Sequence, residues 1–167
     1  MSTAAIVNPE KSKDIFTRAI RPLLSEADAY SSAGIVVIAF EYPYLDVELG
    51  WHLHGTSIRL RIDGTDYSYR PVRGWWIDHA GNPLLSGRGS VPNGPGFHHH
   101  RVTDEPGCWF CFLGWREYHD HPGHQQVSWA ALRSQKRYGV CGLIAQLHQD
   151  INRPGVPEWR SALCCWS

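Results

Sequence analysis

The stretch IVVIAFEYPYLDVELGWHLHGTSIRLRI, residues 35–62, decides the fold. It contains three short runs rich in β-branched and apolar residues, at 35–40, 47–53 and 58–62. The last run alternates apolar side chains with arginine at period two, as expected for a strand with one buried face. Turn-forming residues separate the runs, with Tyr42-Pro43 after the first and His54-Gly55 after the second. The stretch therefore predicts three consecutive antiparallel strands.

Helices are predicted on either side of these strands. Residues 8–10, Asn-Pro-Glu, are typical of a helix N-terminus, and the amphipathic pattern behind them runs to about residue 30. A second apolar pattern at helical spacing begins after Ser128, breaks near Gly139 and continues to about residue 151. A last helical turn is expected in the tail, so the C-terminal helices are predicted to cover about 128–165.

A fourth strand is predicted at residues 75–77, between the third strand and the second helical pattern. Adjacent Trp75 and Trp76 should face opposite sides of the sheet, and core packing is preferred over docking as their role. Residues 86–127, which begin with a run rich in glycine and proline, form a predicted irregular loop. The prediction is a single α+β domain, 1–167, with a four-stranded antiparallel meander at about 35–78 and flanking helices.

Composition excludes several classes of function. With 16 basic and 16 acidic residues, the chain has a formal net charge of zero, which argues against binding nucleic acid or an anionic membrane. The N-terminus has no apolar signal region and no apolar run approaches bilayer length, so we expect a cytoplasmic protein. Five cysteines, an odd number, do not make a disulfide framework. In a reducing compartment, thiols are more often catalytic, bound to metal or buried.

Residues 107–124, GCWFCFLGWREYHDHPGH, concentrate the chemistry of the chain. Two thiols, two carboxylates and three imidazoles in so short a stretch indicate either thiol chemistry or a metal site. Cys111 is the candidate nucleophile because a glycine and a polar run follow it. The alternative is a buried structural cysteine, since free cysteine is among the most buried residue types.

The order of elements resembles the ubiquitin-conjugating enzyme (UBC) fold. In that family a Tyr-Pro-rich turn follows the third strand, and a His-Pro-Asn segment precedes the catalytic cysteine. Here Tyr67 and Pro71 stand where that turn would be, and His98-His99-His100 precedes Cys111 without the asparagine. The run from Cys111 to His124 resembles the divergent bacterial members, which are found in ubiquitin-like conjugation operons.

The resemblance implies an E2-like transferase. Cys111 would accept a ubiquitin-like protein as a thioester from an E1-like activating enzyme and pass it to an amine of a protein target. No diffusible cofactor is implied. Glu117 and His119 are candidates for deprotonating or placing the amine, and His100 for supplying the hydrogen bond that the missing asparagine would give.

A zinc-binding or interaction module without catalysis is the main alternative. Cys108, Cys111, His119 and His121 could form a Cys2His2 set, with His124 as an alternative to His121, although the spacing is short for a zinc finger. A set of Cys111, Glu117, His119 and His121 is a second arrangement. A UBC-like protein that only binds its partners is a third alternative.

Overall fold

A computed structural model describes residues 8–84, 90–98, 108–153 and 158–160, and within them the chain is an α+β domain. The helices are α1 (Pro9–Ser25), α2 (Ala27–Ser32), α3 (Arg116–Asp120), α4 (Trp129–Leu132) and α5 (Val140–Ile151). The strands are β1 (Ile35–Glu41), β2 (Tyr44–Trp51), β3 (Thr56–Asp63), β4 (Arg73–Ile77), β5 (Ser90–Pro92), β6 (Phe97–His98), β7 (Trp109–Phe110) and β8 (Glu158–Arg160). The predicted α+β class is confirmed.

The central sheet is the predicted antiparallel meander, in the order β1-β2-β3-β4. The alternation in β3 has the predicted effect, because Ile58, Leu60 and Ile62 are buried on the inner face. The arginines between them meet acids of β2 on the outer face: Arg61 donates two hydrogen bonds of 2.7 Å to Asp46, and Arg59 bonds Glu48. These cross-strand pairs fix the register of β2 against β3.

Helices α1 and α5 cover the inner face of the sheet. Phe16, Ile20 and Leu23 of α1 are fully buried at the spacing of one helical face. From α5, five residues join the same core: Val140, Leu143, Ile144, Leu147 and Ile151. Trp51 Nε1 of β2 donates to the carbonyl of Ile151 at 3.1 Å, which ties the end of α5 to the sheet.

Trp75 and Trp76 lie on opposite faces of β4, as predicted. Trp76 is buried inside and contacts the ring of Phe110 with ring centroids 4.9 Å apart. Trp75 packs on the outer face beside Tyr44 and is also buried. Core packing is therefore confirmed for Trp76, whereas Trp75 is buried outside the main hydrophobic core.

Several boundaries differ from prediction. Strand β2 spans Tyr44–Trp51 rather than 47–53. Residues 86–127 are not wholly irregular, because β5, β6, β7 and α3 lie among them. The first helical segment is interrupted at Glu26, whose φ of −115° and ψ of 35° are not helical, so that α1 and α2 are separate. Residues 158–160 form β8, which pairs with β5, so the expected helical tail is wrong there. A short strand gains its backbone partners from a distant segment, and the local spacing of apolar residues does not show that pairing.

The longest described helix, α1, has 17 residues and carries many charges. No helix in the part of the chain that the structure describes has the length and hydropathy needed to cross a bilayer.

Candidate functional site

Buried aromatic contacts hold the segment around Cys111 against the sheet. Phe110 and Trp115 are both buried, with ring centroids 5.1 Å apart. They approach β4 at Gly74, where a Cβ would lie 2.7 Å from Trp115 Cζ3, so only glycine allows this packing. The N–H of Cys111 donates to the carbonyl of Gly96 at 2.7 Å and continues the β6–β7 pairing. The backbone of Cys111 is thus fixed from both sides.

Arg116 anchors the start of α3 to the turn that follows β3. Its guanidinium is buried and donates to the carbonyls of Pro71, at 2.9 Å, and Thr65. The N–H of Arg116 donates to the carbonyl of Val72 at 2.8 Å. Burial lowers the pKa of Arg116, and charge-assisted bonds to two carbonyls offset part of the cost of burying the charge. The sequence suggests only an ion pair of Arg116 with Glu117 or an acidic partner. In the structure its bonds to backbone carbonyls hold the start of α3 against this turn.

The thiol of Cys111 contacts His124, with 3.4 Å between Cys111 Sγ and His124 Nδ1. The imidazole stacks on the Tyr118 ring, with centroids 4.2 Å apart and an interplanar angle of 17°. A turn returns the chain to this place after α3, since the N–H of His124 donates to the carbonyl of His121 at 3.0 Å.

Sequence reasoning considered His124 only as an alternative zinc ligand. The signal that could have found it is the His-Pro-Gly-His sequence of residues 121–124. Pro at the second and Gly at the third position of four residues favour a tight turn, which reverses the chain toward the segment that precedes α3. The turn indicates that His124 returns toward Cys111.

Glu117 acts on Cys111 through its charge. Its carboxylate lies 3.5 Å from the guanidinium of Arg73, and both side chains are largely buried. Partial burial raises the pKa of the Cys111 thiol, and the negative charge of Glu117 raises it further. At neutral pH the thiol therefore keeps its proton, and a nucleophilic role needs a base nearby.

His119, the predicted helper, braces the backbone. Its Nε2 accepts a hydrogen bond of 3.2 Å from the N–H of Gly114, and a second bond joins the ring to the backbone of Val127. Burial lowers the pKa of His119, while the Val127 bond and the charge of Asp120 act in the opposite direction. The ring thus links the segment after Cys111 to the segment before α4.

The four residues of the zinc alternative do not converge. Cys108 is 1% exposed and belongs to the hydrophobic core, whereas Cys111 is partly exposed, because residues three apart on extended chain point to opposite sides. The Nδ1 of His121 accepts from the N–H of Gly123 at 3.0 Å, and His119 has the backbone contacts given above. Across residues 8–84, 90–98, 108–153 and 158–160, no three Cys, His, Asp or Glu side chains are arranged to hold a metal ion.

Of the histidine run before Cys111, His100 lies outside the described residues. His98 stacks on Trp109, with ring centroids 4.1 Å apart. Partial burial lowers the pKa of His98, and the positive charge of His121 lowers it further.

An open cleft of about 520 Å³ borders His124. We call it the His124 cleft. The turn after β3 forms one wall, and the end of α3 with the segment leading into α4 forms the other. Its lining is Tyr69, Arg70, Pro71, His119, Asp120, His124, Gln125, Val127, Ser128, Trp129, Ala130 and Arg133.

No protein-family model and no curated protein matches this chain. Functional inference therefore depends on the contacts of its own residues.

Proposed function

We propose that this chain is an E2-like acyltransferase, in which Cys111 carries a ubiquitin-like protein as a thioester. The observation that supports this best is the 3.4 Å contact between Cys111 Sγ and His124 Nδ1 in a segment fixed by buried contacts. A nucleophile within hydrogen-bond reach of a base is the arrangement that thiol catalysis needs. The meander with flanking helices is compatible with the fold of the ubiquitin-conjugating superfamily.

The first step loads Cys111. His124 takes the thiol proton, and the thiolate attacks the carbonyl carbon of the thioester held by an E1-like enzyme. A C–S bond to Cys111 forms, the donor's C–S bond breaks, and the departing sulfur takes up a proton. Because burial and Glu117 raise the pKa of Cys111, this proton transfer to His124 is the contribution that the site must make.

The second step discharges the thioester to an amine of a protein target. The amine attacks the thioester carbonyl, a C–N bond forms, and the C–S bond to Cys111 breaks. His124 takes the proton that the amine loses and returns one to the departing thiolate. The stacking of Tyr118 on the His124 ring favours one orientation of the imidazole.

The test loads the protein with a short peptide thioester and follows it by intact mass. Cys164 and Cys165 are replaced by serine in all samples so that the tail thiols do not compete. We expect one adduct per chain that dithiothreitol reverses and that Cys111→Ser abolishes. His124→Gln should slow loading about a hundredfold or more, the range for loss of a general base. The same samples are then incubated with ATP and with the ubiquitin-like protein and the activating enzyme of the source organism.

Cys141→Ser is the matched control. Cys141 is also a partly buried thiol whose pKa burial raises, and its Sγ donates to the carbonyl of Ala19. It should load like the parent. An adduct that survives Cys111→Ser contradicts the proposal. Absence of any adduct, together with about one zinc ion per chain that is lost in Cys111→Ser, favours the zinc-binding module instead.

A further inference from the structure

The His124 cleft and the Cys111 thiol share one side chain. His124 lines the cleft, and its Nδ1 lies 3.4 Å from Cys111 Sγ. Cys111 itself is not part of the lining. A group bound in the cleft therefore meets the same imidazole that the thiol meets. If His124 takes the proton of an attacking amine, that amine has to lie within hydrogen-bond reach of the ring.

The charges along the cleft are unequal. Arg70 and Asp120 form an ion pair of 2.8 Å, so their charges largely compensate each other. Arg133, exposed on the opposite wall after α4, makes no ion pair with any residue that the structure describes. Among the arginine and aspartate side chains of the described lining, positive charge exceeds negative charge by one. An isolated lysine would be repelled by that charge, whereas a lysine with an acidic neighbour would be attracted.

The apolar part of the lining suits a lysine stem. Pro71, Val127 and Trp129 contribute carbon surface between the charged groups, and the Trp129 ring is held in place because its Nε1 donates to the carbonyl of Ser68 at 2.8 Å. Lysine commonly lays its methylene stem along such surface while its amine stays among polar groups. Shape and charge thus favour the same occupant.

We infer that the His124 cleft binds the acceptor, a lysine in an acidic segment of the target protein, with Arg133 pairing the neighbouring acid. Arg133 is then a specificity-determining residue that the acyl-transfer step does not require. The amine reaches the thioester on Cys111 past His124. This inference rests on the proposed transferase function and names the class of its acceptor.

The experiment compares two acceptors on protein preloaded at Cys111 with the peptide thioester. The acceptors are N-acetylated, C-amidated Glu-Lys-Glu and Gln-Lys-Gln, which differ in charge alone. Discharge is followed by intact mass at low salt. We expect the acidic acceptor to discharge the thioester about two to five times faster, the effect of one exposed ion pair. Salt at about 0.5 M should shrink the difference by screening.

Arg133→Gln should remove the preference and leave loading unchanged. Arg137→Gln is the matched control, since Arg137 is also exposed and lies four residues further on, outside the cleft lining. It should keep the preference. Equal rates with both acceptors on the loaded parent protein overturn the inference but leave the proposed function standing. A preference for the acidic acceptor that persists in Arg133→Gln has the same consequence.

A protein that cannot be loaded overturns the proposed function and, with it, the acceptor role. Backbone amide shifts measured while each peptide is titrated onto unloaded protein test the cleft independently. Shifts confined to residues 69–71 and 119–133, larger with the acidic peptide, support binding there. Shifts centred elsewhere contradict it.

Discussion

Gly114 offers the sharpest test of how the Cys111 segment is held. Its φ is +98°, a backbone conformation that costs an L-residue roughly 1–2 kcal/mol. A Cβ there would lie 2.7 Å from Leu143 Cδ2 and 3.0 Å from Tyr138 Cδ1, and both side chains are buried. Overpacking of this kind costs about 1–3 kcal/mol. Gly114→Ala should therefore lower the free energy of unfolding by about 2–5 kcal/mol in total.

Urea denaturation measures that loss, and a 3 kcal/mol effect should lower Tm by about 6–12 °C in a chain of this size. Gly55→Ala is the control: its φ is +62°, and its Cβ would meet nothing within 4 Å. It should show the backbone cost alone, about 1–2 kcal/mol. If the two variants lose the same stability within about 0.5 kcal/mol, Gly114 does not pack against α5 as the structure indicates, and the reasoning fails.

Three further predictions concern ionisable groups. Glu117→Gln removes a charge that raises the pKa of Cys111, so alkylation by iodoacetamide at pH 7–8 should become faster; an unchanged rate contradicts the electrostatic link. His119→Phe removes the acceptor of the Gly114 N–H, so hydrogen exchange at that amide should accelerate while the amides of α1 stay protected, and equal protection in parent and variant would refute the brace. Burial lowers the pKa of His148, so the unfolded state binds more protons and stability falls as pH drops below about 6.5. The variant His148→Gln can still donate to the Gly50 carbonyl, and it should weaken the dependence of the urea midpoint on pH between pH 7 and 5. An unchanged pH dependence rules this histidine out as the cause.

Local patterns were sufficient to predict the sheet. Ile58, Leu60 and Ile62 alternate with two arginines, and the structure buries the first set and pairs the second with acids of β2. Helix α1 begins at Pro9 after the predicted Asn8 cap, whose side chain accepts from the N–H groups of residues 10 and 11. These features depend on neighbours within one turn or one strand, and such neighbours are visible in the sequence.

The candidate site was only partly predictable. Cys111 is recognisable in the sequence because a glycine and a polar run follow this thiol. Its partner His124 is not recognisable in the same way. The sequence offers His119 as one candidate base because an imidazole exchanges protons near neutral pH, yet its ring bonds the backbone of Gly114. His124 is thirteen residues from Cys111, and the turn at residues 121–124 is what returns it.

The amino-acid sequence by itself determined the order of the first helix and the four strands of the central sheet, the buried face of β3, and the concentration of thiol and imidazole groups in one segment. Only the tertiary structure decided which of those groups meet. Gly74 admits Trp115, and Arg116 bonds the carbonyl of Pro71, which is 45 residues away. The periodicity of apolar residues shows which face of a single helix or strand is buried. The contact between Cys111 and His124, in contrast, forms only when several elements pack together.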